Sequence, residues 1–182
     1  MNEKEILELK RIALKYIESH NTMTIATCKD NVPWAADVFY ASSGFRLYFI
    51  SNPQVAIHCK NIAANPIVSV AISEDYKLKG FSDWKRIKGI QMEGLAEMLE
   101  LENEIKEALE IYIKKYPFTS PYLKKLFLYE EYTPLEKLLM RLKILPTFTP
   151  SKENRFFKVT PKRLFLVDNK RSFEKRIEIP LE

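Results

Sequence analysis

Glycine is scarce in this chain, with four in 182 residues, at Gly44, Gly80, Gly89 and Gly94. Loops that cradle phosphates or bend sharply around a nucleophile draw on several glycines at close spacing. No Gly-x-Gly-x-x-Gly, Walker loop or Gly-x-Ser-x-Gly elbow is present. Histidine and cysteine are as rare, limited to His20, His58, Cys28 and Cys59. No His-Glu-x-x-His occurs, and these four side chains have no spacing known for a zinc site, so no metal is expected. Both cysteines stand in or beside apolar segments and read as reduced packing thiols. No stretch approaches the roughly 20 apolar residues of a membrane span. The first residues, Met-Asn-Glu-Lys-Glu, alternate charges where a leader would be apolar. These absences predict a soluble, cytoplasmic protein. Glutamine is confined to Gln54 and Gln91, a bias that accompanies proteins of hot environments.

What is present is ample material for a core: 46% of residues are hydrophobic, enough for one domain spanning 1–182 without staples. The net charge is +5 and the pI near 9.0, which raises the question of nucleic acid. The basic residues are interleaved with 24 acidic ones, the pattern of solvated faces, and only Lys158 to Arg176 has a basic excess. The expectation is no nucleic-acid partner and a mild positive field suited to a phosphorylated small molecule.

Along the chain, Ile6, Leu9, Ile12, Ala13, Tyr16 and Ile17 form one stripe of a helix over Glu3 to Ser19. Strands are predicted at Thr22–Cys28, Trp34–Ala41, Arg46–Ile50, Ile67–Ile72 and Lys88–Leu99. The tight turns at Lys29-Asp30-Asn31 and Ser42-Ser43-Gly44 make the neighbours antiparallel and point to a barrel. From about 101 to 149 the periodicity is helical. Helices are predicted over Glu102–Tyr116, Ser120–Tyr129 and Thr133–Lys143, the last with Thr133 as cap, Pro134 in first position and Glu136 completing a capping box. Tyr112, Tyr116, Phe118, Tyr122, Phe127, Tyr129 and Tyr132 read as packing residues of this insert. Trp34, Trp84, Phe39 and Tyr40 could stack on a planar ligand, but aromatics on barrel strands are more often core. Strand character returns at Arg155–Thr160, Leu164–Val167 and Arg176–Pro180.

The most informative block runs from Tyr48 to Ile72. A strand ending in the hydroxyl of Ser51 leads into a helix predicted over Val55 to Ala64, whose first amides lack partners and favour an anion. His58 and Lys60 stand one turn in, able to face the same charge. Asn65-Pro66 stops the helix, and Ile67 begins the next strand. Ser51, His58 and Lys60 together supply the hydroxyl and charge-assisted donors that a phosphate dianion prefers.

This block resembles the split-barrel flavin-binding family typified by pyridoxamine 5′-phosphate oxidase. So do Ile25-Ala26-Thr27, Pro33 before Asp37-Val38-Phe39-Tyr40, and Lys88 to Ala96. The resemblance covers about Thr22 to Leu99. It implies an α+β fold, mostly β: an antiparallel split β-barrel with peripheral helices, here with a helical insert at about 101–149. It also implies non-covalent FMN, a homodimer that completes the flavin site between subunits, and an oxidoreductase acting on a small organic substrate. By position, Ala36, Asp37 and Val38 would lie along the flavin ring, and Ile50 and Ser51 would meet the ring or ribityl chain. His58 and Lys60 would contact the phosphate. Lys88 and Gly89 occupy the place of an Arg-Gln pair, and Gly89 lacks the side chain for that contact. Asp168-Asn169 and Ser172 to Arg176 correspond to a late segment that in some relatives reaches the partner's cofactor; charged hairpin residues are the plainer reading. The oxidase's late Arg-x-His has no counterpart, since no histidine follows His58, so vitamin B6 oxidation is not expected. No acid, base or nucleophile stands out, as expected where the cofactor carries the electrons, and no catalytic residue is assigned. A flavin carrier or redox sensor without catalysis, and a haem or deazaflavin protein, remain open on the same fold.

Overall fold

The computed structural model describes residues 1–77, 79–80, 82–128, 132–144, 151–173 and 175–181. Helix α1 (Glu3–Ser19) opens with a capping box. Asn2 accepts from the Glu5 amide and Glu5 accepts from the Asn2 amide, each at 2.9 Å. Strands β1 (Thr22–Lys29), β2 (Val32–Ser43) and β3 (Arg46–Ser51) follow, then helix α2 (Ile57–Ala64), β4 (Ile67–Ser73) and β5 (Lys88–Met98). Helices α3 (Glu102–Lys115), α4 (Ser120–Leu128) and α5 (Pro134–Arg141) precede β6 (Arg155–Asp168) and the short β7 (Ile177–Glu178).

The β1–β2 hairpin turns on Asp30 and Asn31, with φ of 52° and 61°, between the paired Lys29 and Val32. A two-residue turn with both φ values positive matches the twist of the strands it joins, and Asp and Asn tolerate that conformation. All pairings are antiparallel, in the order β3-β2-β1-β4-β5-β6, and β6 returns to pair with β3. Six strands therefore close into a barrel without open edges, to which β7 adds beside β6.

Closure depends on β6, which is one continuous strand where the sequence predicted two. At its middle Glu93 pairs with Arg163 while Gly94 pairs with Pro161, so Lys162 bulges out. A proline has no amide to give to the ladder, and a bulge is where a strand tolerates that loss and bends. Other predicted ends also shift: α2 starts at Ile57 and not Val55, and the last strand shrinks from Arg176–Pro180 to Ile177–Glu178. Helix α4 is described as far as Leu128; the predicted end at Tyr129 lies outside the described residues.

The barrel interior is filled by Ile25, Phe49, Val70, Ile72, Met92 and Leu166 among others, with α1 closing one side through Leu9, Ala13 and Ile17. Each such side chain contributes about 1.5–3 kcal/mol by leaving water. A second cluster sits where α3 lies on the barrel wall, with Leu109, Tyr112 and Tyr116 against Ala41, Tyr48 and Phe156. Tyr112, Tyr116 and Tyr122 are buried as expected of packing residues, whereas Phe118 is 70% exposed and departs from that reading. Lys115, in the last turn of α3, lies over the Tyr40 ring at 4.1 Å and donates to the His20 carbonyl. Burial pulls its pKa down to about 8. Helix α5 has the predicted Thr133–Glu136 capping box and buries none of its residues.

Candidate functional site

Strand β3 buries Phe49 and, one pleat further on, aims Ser51 at helix α2. The Ser51 hydroxyl meets His58 Nε2 at 2.8 Å, and the His58 ring lies against Phe49 with centroids 6.0 Å apart. The helix is held in place from its far side. Asn61 donates through Nδ2 to Thr27 Oγ1 at 3.1 Å, and Asn65 donates to the Cys28 carbonyl at 3.2 Å. The residue that caps α2 is Ala56, which has no side-chain acceptor, so no cap covers the first amides of the helix. Uncovered first-turn amides beside a hydroxyl and an imidazole form the donor chemistry that seats an oxyanion.

Burial governs the protonation of this group. It lowers the pKa of His58, because an imidazolium away from water is disfavoured, and it raises that of the Cys59 thiol, partly offset by a hydrogen bond with Ser51. The resting site is therefore a neutral imidazole, a neutral thiol and a hydroxyl.

The structure brings Ser51 and His58 together and separates the other predicted residues. Lys60 is exposed while His58, Cys59, Asn61 and Ile62 are buried. Two residues along a helix are about 200° apart, so His58 and Lys60 do not share a face, contrary to the sequence expectation. Ile50 turns from Ser51 towards the second cluster. Ala36 and Val38 pack towards the core, whereas Asp37 faces outward and accepts from Thr24 Oγ1 at 2.5 Å. Lys88 and Gly89 pair with Asp168 and Val167 at one end of β6, while Ser51 pairs with Arg155 at the other. The Lys88 ammonium faces the buried Asp168 carboxylate at 3.9 Å, and a Cβ on Gly89 would stand 3.1 Å from the Ile72 carbonyl oxygen. Asp168 also faces Arg171 at 3.6 Å, which ties the late segment to β5. The outer wall around Asp37 holds two shallow clefts. One of about 290 Å³ is lined by Thr22, Thr24, Asp37 and Ser73, and one of about 380 Å³ by Ala26, Ser69, Gln91 and Phe165, with others.

Arg155 was missed by sequence reasoning. Its register opposite Ser51 puts both side chains on one face of the sheet, and its guanidinium donates to the Lys152 and Asn154 carbonyls at 2.8 and 2.9 Å. Among the described residues no carboxylate pairs with it. The signal available was a cation opening an aromatic strand, Arg-Phe-Phe, but the partner strand lies a hundred residues earlier.

A closed antiparallel barrel with a short helix seated after its third strand defines the split-barrel class. Residues 10–168 match the sequence profile of the pyridoxamine 5′-phosphate oxidase family, and the chain belongs to that family. Solved structures agree on the fold. A candidate pyridoxamine 5′-phosphate oxidase from Listeria innocua superposes with a TM-score of 0.57 at 17% identity, over 88% of this chain and 98% of that one. A FAD-binding protein from Mesorhizobium loti gives 0.54 at 18%, over 91% and 94%. The haem storage protein HutZ from Vibrio cholerae gives 0.57 at 15%, over 86% and 93%. A search of curated protein sequences finds no match.

Proposed function

We propose that the protein is an FMN-binding flavoprotein that works as a homodimer and as an oxidoreductase on a small organic substrate. The observation that carries this reading is the Ser51 hydroxyl 2.8 Å from His58 at the uncapped start of α2, a donor set suited to the flavin's terminal phosphate. Arg155 stands beside it and Lys60 at the exposed rim, where each would add a donor. From there the ribityl chain and ring would run past Ile50 towards the β2 wall at Ala36, Asp37 and Val38. Lys88 and Gly89 lie at the opposite end of β6, so their contact with the same flavin would come from a second copy of the chain. When bound, the flavin would supply electron or hydride transfer. The protein's part would be to orient it and shield one face from water.

Two contacts favour flavin over haem. A histidine axial ligand would have to come from His20 or His58. His20 contacts Glu74 through Nε2 at 3.0 Å and the Tyr16 carbonyl through Nδ1 at 2.6 Å, with its ring stacked on Tyr16. His58 is buried beside the Phe49 ring. The deciding experiment is the absorbance spectrum of the purified protein, with chromatography of whatever cofactor heat releases. Flavin bands with FMN recovered support the reading, a Soret band replaces it with haem, and a colourless protein that takes up no added FMN removes it.

A further inference from the structure

We infer that His58 makes this anion site selective for a phosphomonoester by taking up a proton as the phosphate arrives. The inference rests on the reading of Ser51 and His58 as the phosphate end of a flavin site. Among the described residues no cation is bonded to Ser51 or His58. The hydroxyl and the first amides of α2 are neutral donors, Lys60 is exposed on another face of the helix, and the Arg155 guanidinium is bonded to two carbonyls of its own loop. The Ser51–His58 contact is satisfied by a neutral imidazole, and only the imidazolium adds charge.

The surroundings explain why that charge waits for the ligand. On its own helix His58 has the buried Cys59 thiol beside it, while Lys60 is exposed on another face. β3 offers Ser51 and the Phe49 ring, and β6 offers Arg155, a like charge. The buried positions of β1, β2 and β5 contain one ionising side chain, Tyr40, which burial keeps neutral. In the adjoining loops, Lys152 is a cation and Glu153 is engaged by Gln54 Nε2 at 2.7 Å. Among the described residues no carboxylate is bonded to His58, and burial disfavours its charged form, so it rests neutral at pH 7. A phosphomonoester has its second pKa near 6 and so arrives as a dianion. Placed against Nε2, it reverses the balance and holds the imidazolium, so the proton comes from solvent.

Linkage sets the readout. If one proton enters with the ligand, FMN binds up to tenfold tighter for each pH unit lowered from about 8 towards 6.5. The test is calorimetric titration of flavin-stripped protein with FMN, and separately with riboflavin, at pH 7.5 in two buffers of different ionisation heat. Close to one proton taken up with FMN and none with riboflavin is expected. His58→Gln should abolish the uptake and weaken FMN about 10- to 100-fold at pH 6.5, the range for losing a bond to a charged group, while riboflavin is unaffected. His58→Lys, charged in both states, should retain FMN and lose both the uptake and the pH slope. FMN binding without proton uptake, or uptake that survives His58→Gln, overturns the inference and leaves the flavin reading intact. Failure of FMN to bind at all overturns both.

Discussion

Gly94 passes so close to Thr160 that a Cβ built on it would stand 2.5 Å from the Thr160 carbonyl oxygen and 3.1 Å from the Pro161 Cα. The obstacles are backbone atoms at the β6 bulge, which cannot swing aside as a flexible side chain would. Gly94→Ala should therefore destabilise the barrel by about 1–3 kcal/mol, the range for forced overpacking. Denaturant titration checks this, and an unchanged midpoint would show that the bulge gives way freely.

Thr27 is buried and serves as the acceptor for the Asn61 amide. Thr27→Val keeps the shape and deletes the acceptor, leaving a buried donor without a partner at about 1–3 kcal/mol. Because that bond holds α2 against β1, FMN affinity should fall along with the unfolding midpoint. Thr27→Ser should restore both.

Ser51 and Lys60 differ in depth, and the proposed phosphate site makes them differ in weight. Ser51→Ala should weaken FMN by about 1.5–3 kcal/mol, as for a lost bond to a charged group. Lys60→Ala, at an exposed position, should cost no more than about 1 kcal/mol and lose even that in high salt. Fluorescence titration separates the two, and equal losses would bring Lys60 into the site.

Lys115 predicts an alkaline signature. Its folded pKa, about 8, lies below the unfolded value of roughly 10.4, so between them the unfolded chain binds more protons. Stability should rise as pH climbs from 8 towards 10 and should be lost again on return through 8. In Lys115→Met that rise should vanish. Thermal melts of both proteins across this range decide it.

Features written in neighbouring residues were legible in the sequence; those made by distant pairing were not. The stripe of α1, the Asp30-Asn31 turn and the Thr133 box depend on adjacent positions and appear where expected. β6 was read as two strands because Pro161 and the charges after it break the alternation, while the strands that hold it straight are remote. In the site, Ser51 and His58 were within reach because they stand seven positions apart in the chain. Arg155 was not, since only the β3–β6 register brings it near. Lys60 differs from the expectation only in facing away from His58. Its charge invited the assignment, but the angle around the helix decides which side chains face a neighbour.

The closure of the barrel by β6 has a consequence for how the protein is made. Synthesis proceeds from the amino terminus, so five strands emerge before the one that joins the first sheet edge to the last. Until Arg155 to Asp168 leave the ribosome, β3 and β5 both present unpaired backbone, the kind of edge that recruits strands from other chains. The helices between β5 and β6 lengthen that interval, during which the nascent chain depends on its surroundings to keep two open edges apart.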